Sequence, residues 1–300
     1  MTMVAMKKSN GRRRKQCELR HVGRWQVYCL SREGSREENG EVELASVTRP
    51  GYSLSDFNQK QTYKSVAGDI AQIADALELG EKFWLLGYSG GGPYCWAAAR
   101  FIPERLAGIA MWAPVGNYGW KDISKTERKD VTRQINPGSR RWIRLVKMVP
   151  QCMLYAYIHY ILVPVMGSNW VEKLKKVLSP PDVSNLNLQV SRDLIERDSI
   201  ESAKQKRKGM AQDWLLLTHD WGFELSEMLQ VYQGPLHIFH GDLDWVVPLF
   251  FQQCINKLLP DLMHLHVLNG EGHYSAFHFN DRMQCITLDS LFGNAEVNTD

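Results

Sequence analysis

Ser89, which lies between glycines, is the residue whose sequence context most clearly predicts a catalytic role. Residues 87–91 read Gly-Tyr-Ser-Gly-Gly, after the apolar run 83–86 and before a run of small residues with helical character at 94–100. This order predicts a strand, a sharp turn and a helix, which would hold the Ser89 hydroxyl above the edge of a sheet. Glycines are needed on both sides because side chains there would collide with the neighbouring strand and helix. The alternative is a glycine-rich structural loop that contains a serine.

A serine hydroxyl is a weak nucleophile at neutral pH, so it needs a base and a group that orients the base. His273 is the candidate base, because it lies in a glycine-containing loop (residues 269–274) after a predicted strand. Asp244 and Asp242 follow another predicted strand and compete for the orienting role. The spacing Gly-x-x-Asp-x-x-Val-Pro favours Asp244, and Asp242 is interpreted as a turn-capping side chain. The backbone N–H of Gly90, next to the nucleophile, is the expected donor to the oxyanion.

Strands and helices alternate along most of the sequence, and they must position these residues. Strands are predicted at 42–48, 82–86, 106–112, 236–239 and 263–268, a β-hairpin at 19–30, and helices at 63–79, 94–100, 249–259 and 276–291. This alternation indicates an α/β fold with a mostly parallel sheet and helices on both faces. The carboxyl ends of such strands share the edge where ligands bind. His240 is interpreted as a packed histidine at a strand end.

The chain divides into four parts. Residues 1–16 form a basic, disordered terminus, and residues 17–116 and 234–300 form the two parts of the core. Residues 117–233, helical in pattern and interrupted by prolines, form a helical cap inserted between two strands. The formal net charge of +3 is uneven, because residues 1–36 hold ten Lys and Arg against two Glu. The rest of the chain is therefore mildly acidic, which argues against a nucleic-acid partner.

Neither the cysteines nor the apolar stretches predict a disulfide, a cofactor or a membrane span. The six cysteines are scattered without a C-x-x-C pair, so we expect reduced thiols and no zinc site. We expect no metal or organic cofactor, because the proposed serine chemistry requires none. The N-terminus has no apolar stretch typical of a secretory signal, so we expect an intracellular, cytoplasmic protein. The most apolar stretch, residues 152–166, is too short to span a bilayer. It is interpreted as a buried or lid helix. Contact with a membrane surface, helped by Arg140, Arg141, Arg144 and Lys147, is the alternative.

The sequence resembles the α/β-hydrolase superfamily, and within it plant-type hydrolases of esterase-like character. The likeness covers residues 18–292 and lies in five segments: 49–56, 87–92, 106–115, 241–248 and 270–273. The resemblance implies the α/β-hydrolase fold, with Ser89, Asp244 and His273 as the catalytic residues. It leaves the substrate open, because the fold serves esterases, lipases, peptidases, epoxide hydrolases and dehalogenases. A serine rather than an aspartate at the turn favours ester or thioester chemistry.

The sequence departs from the family at one place. Members of the family carry a His-Gly segment after an earlier central strand, and its loop supplies one N–H of the oxyanion hole; a strand, this loop and a helix are missing between Tyr28 and Val42. We therefore expect a sheet that lacks one central strand, with unpaired backbone groups or neighbouring strands that close up. Loss of one oxyanion donor costs about 100- to 1,000-fold in turnover. A truncated gene model or splice form, a degenerate pseudoenzyme and a rearranged active enzyme all fit this pattern.

Three functions stay open on the sequence. The first is a serine hydrolase that acts on a carboxylic ester or related acyl compound, with a small ester-like or apolar molecule as its substrate. The second is a non-catalytic protein, or pseudoenzyme, that binds a small ligand in the same fold. The third is a lipase at a membrane surface, which residues 152–166 and their basic neighbours would contact.

Overall fold

The computed structural model describes residues 3–6, 27–32, 42–162, 167, 169–274, 286–287 and 289–291. The strands in these residues are β1 (Met3–Met6), β2 (Val27–Arg32), β3 (Val42–Val47), β4 (Phe83–Tyr88), β5 (Leu106–Trp112), β6 (Leu236–Gly241) and β7 (Met263–Leu268). Three helices flank this sheet: α1 (Tyr63–Ala76), α2 (Gly92–Phe101) and α11 (Leu249–Leu258). The helices between β5 and β6 are α3 (Lys125–Gln134), α4 (Pro137–Met148), α5 (Gln151–Tyr157), α6 (Trp170–Lys175), α7 (Pro180–Leu186), α8 (Gln189–Ala203), α9 (Lys208–Thr218) and α10 (Leu225–Leu229).

The seven strands form one sheet in the order β1-β3-β2-β4-β5-β6-β7. β4, β5, β6 and β7 run parallel to one another, so the predicted α/β class with a mostly parallel sheet is confirmed. β2 pairs antiparallel with both β3 and β4, and β1 pairs antiparallel with β3. The carboxyl ends of the four parallel strands therefore meet at one edge of the sheet, which is where the predicted site residues follow β4, β6 and β7.

Two outcomes were expected where a central strand is missing: unpaired backbone groups beside β4, or neighbouring strands that close up. The structure has the second, because β2 lies beside β4, with Val27 opposite Gly87 and Leu30 opposite Trp84. The backbone of β2 pairs antiparallel with β4 on one side and with β3 on the other, so the backbone groups of β4 are paired there. The structure differs from expectation at Met3–Met6, where we expected disorder. These four residues pair with β3 as a short edge strand. The turn of the predicted hairpin lies outside the described residues.

The core of the molecule lies between the sheet and its flanking helices. α1 begins at a capping box, in which the Thr62 side chain accepts from the Ser65 N–H and the Ser65 hydroxyl accepts from the Thr62 N–H, both at 3.0 Å. Its apolar residues recur every three or four positions, so Val66 and Ile70 are fully buried against the sheet. α2 is buried along nearly its whole length, because it packs directly on β4 and β5. This packing holds the turn between β4 and α2 rigidly in place.

The apolar stretch at 152–166 is not a buried helix where the structure describes it. Leu154 and Ile158 are buried against α9, but Met153 is 59% exposed, Tyr160 68% and Ile161 50%. No helix in the described part of the chain combines the length and the apolar character needed to cross a bilayer.

Candidate active site

Ser89 lies at the sharp turn between β4 and α2. Its φ is +49°, a left-handed conformation that a residue with a side chain adopts only under constraint from its surroundings. The constraint is visible at Gly87, where an added Cβ would lie 2.5 Å from the Cys95 Sγ. The glycine lets α2 approach β4 this closely. The Ser89 side chain is thereby held at the carboxyl edge of the sheet, where the residue is 4% exposed.

His273 and Asp244 lie at the same edge and complete a hydrogen-bonded chain with Ser89. The His273 Nδ1 is 2.8 Å from the Asp244 Oδ2, and the His273 Nε2 is 2.9 Å from the Ser89 Oγ. A carboxylate only accepts, so Nδ1 carries the proton and Nε2 is free to accept from the serine hydroxyl. The tertiary structure thus brings together three residues that are separated by up to 184 positions in sequence.

The Asp244 carboxylate is held from all sides. Its Oδ1 accepts from the N–H groups of Val246 and Val247, at 2.8 and 2.9 Å. Its Oδ2 lies 3.2 Å from the His240 Nε2, which also donates to the Val247 carbonyl at 3.0 Å. Burial alone would raise the pKa of Asp244, but the nearby His273 and the hydrogen bonds from His240 and His273 outweigh it. The pKa is held well below its usual value, so this carboxylate stays charged.

The competing residues that the sequence offered take other places. The Asp242 Oδ1 accepts from the Gly270 N–H at 2.7 Å, so this carboxylate joins the loops after β6 and β7 and does not contact His273. His240 is fully buried at the end of β6 and touches the acid rather than the serine. Its Nδ1 has no hydrogen-bond partner among the described residues.

A fourth residue, Asp182 of α7, accepts hydrogen bonds from the backbone of the loop after β7 (residues 269–274), which we name the histidine loop. Its Oδ2 accepts from the His273 N–H at 3.0 Å and from the Ser179 hydroxyl at 2.8 Å, and its Oδ1 accepts from the Tyr274 N–H at 2.5 Å. The residue is fully buried, and burial raises the pKa of its carboxyl above the usual value. On the other side of the loop, the Tyr88 hydroxyl donates to the His273 carbonyl at 2.8 Å.

Sequence reasoning did not find Asp182. The pattern Ser-Pro-Pro-Asp at 179–182 predicts the start of a helix, which is correct, but it suggests only a local role for the acid. Its partners lie 91 and 92 residues further along the chain. Only the fold of the helices between β5 and β6 brings the two segments together. No signal within the sequence of α7 points to the histidine loop.

The loop after β3 does not supply the second oxyanion donor. Pro50 has no N–H, the Gly51 N–H donates to the carbonyls of Ser55 and Asp56, and the Tyr52 N–H donates to the Arg49 carbonyl. The Gly90 N–H, directly after the serine, remains the candidate donor to the oxyanion. Because β2 runs antiparallel to β4, its beginning rather than its end lies at the site edge, with Val27 opposite Gly87. The residues that lead into β2 are outside the described part.

A buried charged cluster ties the surroundings of the site together. Arg49, in the loop after β3, is hydrogen-bonded to Asp213 of α9. The same carboxylate accepts from the hydroxyls of Tyr94 in α2 and Tyr52, each at 2.5 Å. Burial by itself would lower the pKa of Arg49, but the attraction of Asp213 raises it above its usual value. The cluster joins the helix that follows Ser89 to the helical segment between β5 and β6.

A second group of histidines lies away from the site. His237 stacks on His264 and His266 across β6 and β7, with ring centroids 4.9 and 5.5 Å apart. Burial, together with the charges of its two neighbours, lowers the pKa of His237 to about 4. Within the described ranges, no group of three or more His, Cys, Asp or Glu is arranged to hold a metal ion.

Comparison with known proteins identifies the fold. A family model described as the alpha/beta hydrolase fold matches residues 19–280. A search of curated protein sequences found no significant match. Among solved structures, the chain is similar to a thermophilic esterase from Thermogutta terrifontis, at 18% identity and a TM-score of 0.56, over 85% of this chain and 83% of the esterase.

Two further structures have similar scores. An esterase from Exiguobacterium antarcticum is 17% identical with a TM-score of 0.51, over 84% of this chain and 81% of that chain. A bromoperoxidase from Bacillus anthracis is 18% identical with a TM-score of 0.50, over 80% and 78%. Because all these identities are below one fifth, the likenesses show a shared fold and not a shared substrate.

Proposed function

The chain belongs to the alpha/beta hydrolase family, and we propose that within it the protein is a serine hydrolase that cleaves a carboxylic ester or a related acyl compound. The observation that carries this proposal is the unbroken chain of hydrogen bonds from Ser89 through His273 to Asp244, at 2.9 and 2.8 Å. These distances are those that a base needs to take a proton from a nucleophile. The esterases with a similar fold agree with this choice of reaction class.

The proposed reaction proceeds in two halves. The Ser89 Oγ attacks the carbonyl carbon while its proton passes to the His273 Nε2, and Asp244 stabilises the imidazolium that forms. The imidazolium then donates this proton to the leaving alcohol, and an acyl-serine remains. In the second half a water molecule gives its proton to the His273 Nε2 and attacks the acyl carbon. The imidazolium returns this proton to the Ser89 Oγ as the acyl–oxygen bond breaks, which releases the acid and restores both the serine and the neutral histidine. The Gly90 N–H is the proposed donor to the oxyanion in both halves.

The number of oxyanion donors affects the rate. Among the described residues we identify one donor, the Gly90 N–H, and with this donor alone we expect turnover about 100- to 1,000-fold below that of a hydrolase with two. We propose that the helices between β5 and β6 act as a cap, because α7 contributes Asp182 to the histidine loop and α9 contributes Asp213 beside α2. The cap would exclude water from the site and shape the acyl pocket.

A non-catalytic ligand-binding role is the second candidate. Two observations favour it: Ser89 is only 4% exposed, and the N–H groups of Gly51 and Tyr52 in the loop after β3 donate to carbonyls within that loop. Against it stands the hydrogen-bonded arrangement of serine, histidine and acid, which a pure binding protein does not need.

Labelling with a fluorophosphonate probe tests the proposal. The wild-type chain should be labelled and should hydrolyse p-nitrophenyl butyrate, and Ser89→Ala should lose both properties. Ser226→Ala, which changes an exposed serine at the start of α10, is the matched control and should behave as the wild type. Equal labelling of wild type and Ser89→Ala would reject Ser89 as the nucleophile. Saturable binding of the ester without turnover by the wild type would favour the binding role.

A further inference from the structure

The outward side of α4 and α5 exposes large apolar side chains. Val146 of α4 and Leu154 of α5 are buried in a cluster with α9, so the opposite sides of both helices face outward. Met148 of α4 is 81% exposed, Met153 of α5 is 59% exposed, and Tyr160, in the π-helix that follows α5 (Ile158–Leu162), is 68% exposed. We name this region the α4–α5 outer surface. Single exposed apolar residues are ordinary, but several together mark an interaction site.

The same surface carries four cations, and the segment that forms it contains no acidic residue. Arg140, Arg141, Arg144 and Lys147 all lie on α4, and residues 131–171 contain no Asp or Glu. None of these four cations forms an ion pair with any residue that the structure describes. The charge of the surface is therefore available to an anionic partner.

Two of the arginines share one side of α4 with the exposed Met148. Arg141, Arg144 and Met148 follow one another at spacings of three and four, which places them on the same face of α4. A helix of this kind can lie in the plane of a bilayer surface, with methionine at the acyl boundary and arginines at the phosphates. We propose that the α4–α5 outer surface docks on an anionic membrane surface. Nucleic acid would match the arginines but would leave the exposed Met148, Met153 and Tyr160 without a role.

Vesicle co-sedimentation of the full chain tests this proposal. The chain should bind vesicles of phosphatidylcholine with phosphatidylserine much more tightly than vesicles of phosphatidylcholine alone. The double variant Arg141→Gln/Arg144→Gln should bind the anionic vesicles about thirtyfold more weakly, because each such cation near the surface contributes about 1 kcal/mol. This difference should shrink at high salt. Met148→Ser should weaken binding about tenfold, and its effect should not depend on salt.

A matched control separates this surface from the basic N-terminal segment, which can also attract anionic lipid. The control variant Lys82→Gln/Lys257→Gln removes two exposed positive charges near the edge of the sheet that lies opposite Ser89. This variant should bind anionic vesicles as the wild type does. If the α4 variant and this control bind anionic vesicles equally well, the proposal is wrong. Loss of binding to RNA, but not to vesicles, in the α4 variant would also overturn it and would point to a nucleic acid.

A probe on Cys152 reports where the contact forms. Cys152 in α5 is exposed, whereas Cys29, Cys95 and Cys254 are buried. With Cys17 and Cys285 changed to serine, an environment-sensitive fluorophore on Cys152 should shift its emission to shorter wavelength when anionic vesicles are added. Binding without any change in this emission would show that another surface makes the contact, and the proposal would fall.

Discussion

The hydrogen bonds from α7 to the histidine loop lead to a quantitative prediction for Asp182→Asn. Both carboxylate oxygens of Asp182 accept from a backbone N–H, one from His273 and one from Tyr274. An asparagine has one accepting oxygen, so either orientation of its amide turns a donor towards one of these N–H groups. A buried N–H without an acceptor costs about 1–3 kcal/mol, and we expect the free energy of unfolding to fall by that amount.

The activity of the same variant should fall as well. The His273 backbone would shift to relieve the contact, and a displacement of about 1 Å at a catalytic group can cost about 100-fold in rate. We expect kcat/KM for p-nitrophenyl butyrate to fall by about 10- to 100-fold, and the rate of fluorophosphonate labelling of Ser89 to fall in parallel. Labelling of the serine separates an effect on the site from a change in substrate binding.

Asp193→Asn is the matched control for this prediction. Asp193 lies in α8, is exposed, and accepts one hydrogen bond from the Gln189 side chain at 2.7 Å. Replacement of the Asp193 carboxylate should change neither the urea midpoint of unfolding nor the labelling rate of Ser89. If Asp182→Asn equals Asp193→Asn in labelling rate and in stability, then the contact between α7 and the histidine loop has no role in holding the base.

Two further predictions concern the buried carboxylates. Asp244→Asn should lower kcat about 10,000-fold, because an amide no longer holds His273 in the tautomer that accepts at Nε2; a loss below tenfold in a steady-state assay would contradict the assigned role. Since the pKa of Asp244 is lowered by folding, its contribution to stability is present above its unfolded pKa of about 3.9 and is lost as the pH falls further. The difference in free energy of unfolding between wild type and Asp244→Asn should therefore be largest near neutral pH and shrink below pH ~4, as urea titrations at several pH values would show. Asp213→Asn should lower the free energy of unfolding by about 3–5 kcal/mol, because it leaves the Arg49 guanidinium buried without its counter-ion. An unchanged urea midpoint would show that Arg49 is stabilised by its other contacts.

Local patterns were sufficient for most of the fold. β5 and β7 have the predicted ends, because β5 is a short apolar run and β7 alternates apolar residues with histidines before a turn. The resemblance to the α/β-hydrolase superfamily is confirmed by the family match over residues 19–280. The selection of Asp244 over Asp242 followed from spacing, and the structure places Asp244 rather than Asp242 beside His273. The catalytic roles of these residues stay predictions until the variants are measured.

Other features could not be read from local patterns. Unpaired backbone groups beside β4 and strands that close up were both open on the sequence, because a run such as Val27–Arg32 carries no information about which strand it pairs with or in which direction. For residues 152–166 we expected a buried or lid helix, and an apolar run does not reveal which of its sides meets a neighbour. The exposed fractions of Met153 and Tyr160 follow from the packing of α5 on α9, which depends on residues 50 or more positions away.

The sequence by itself determined the class of the fold and the residues that follow its strands, because strand, turn and helix preferences act over a few neighbouring positions. Only the tertiary structure decided that α7 reaches the histidine loop and that β2 lies beside β4. It also decided that the face of α4 with Arg141, Arg144 and Met148 is exposed. Each of these contacts joins segments that are free to lie anywhere relative to one another until the core packs. In the packed core the N–H groups of His273 and Tyr274, which would be costly to bury without a partner, both donate to Asp182.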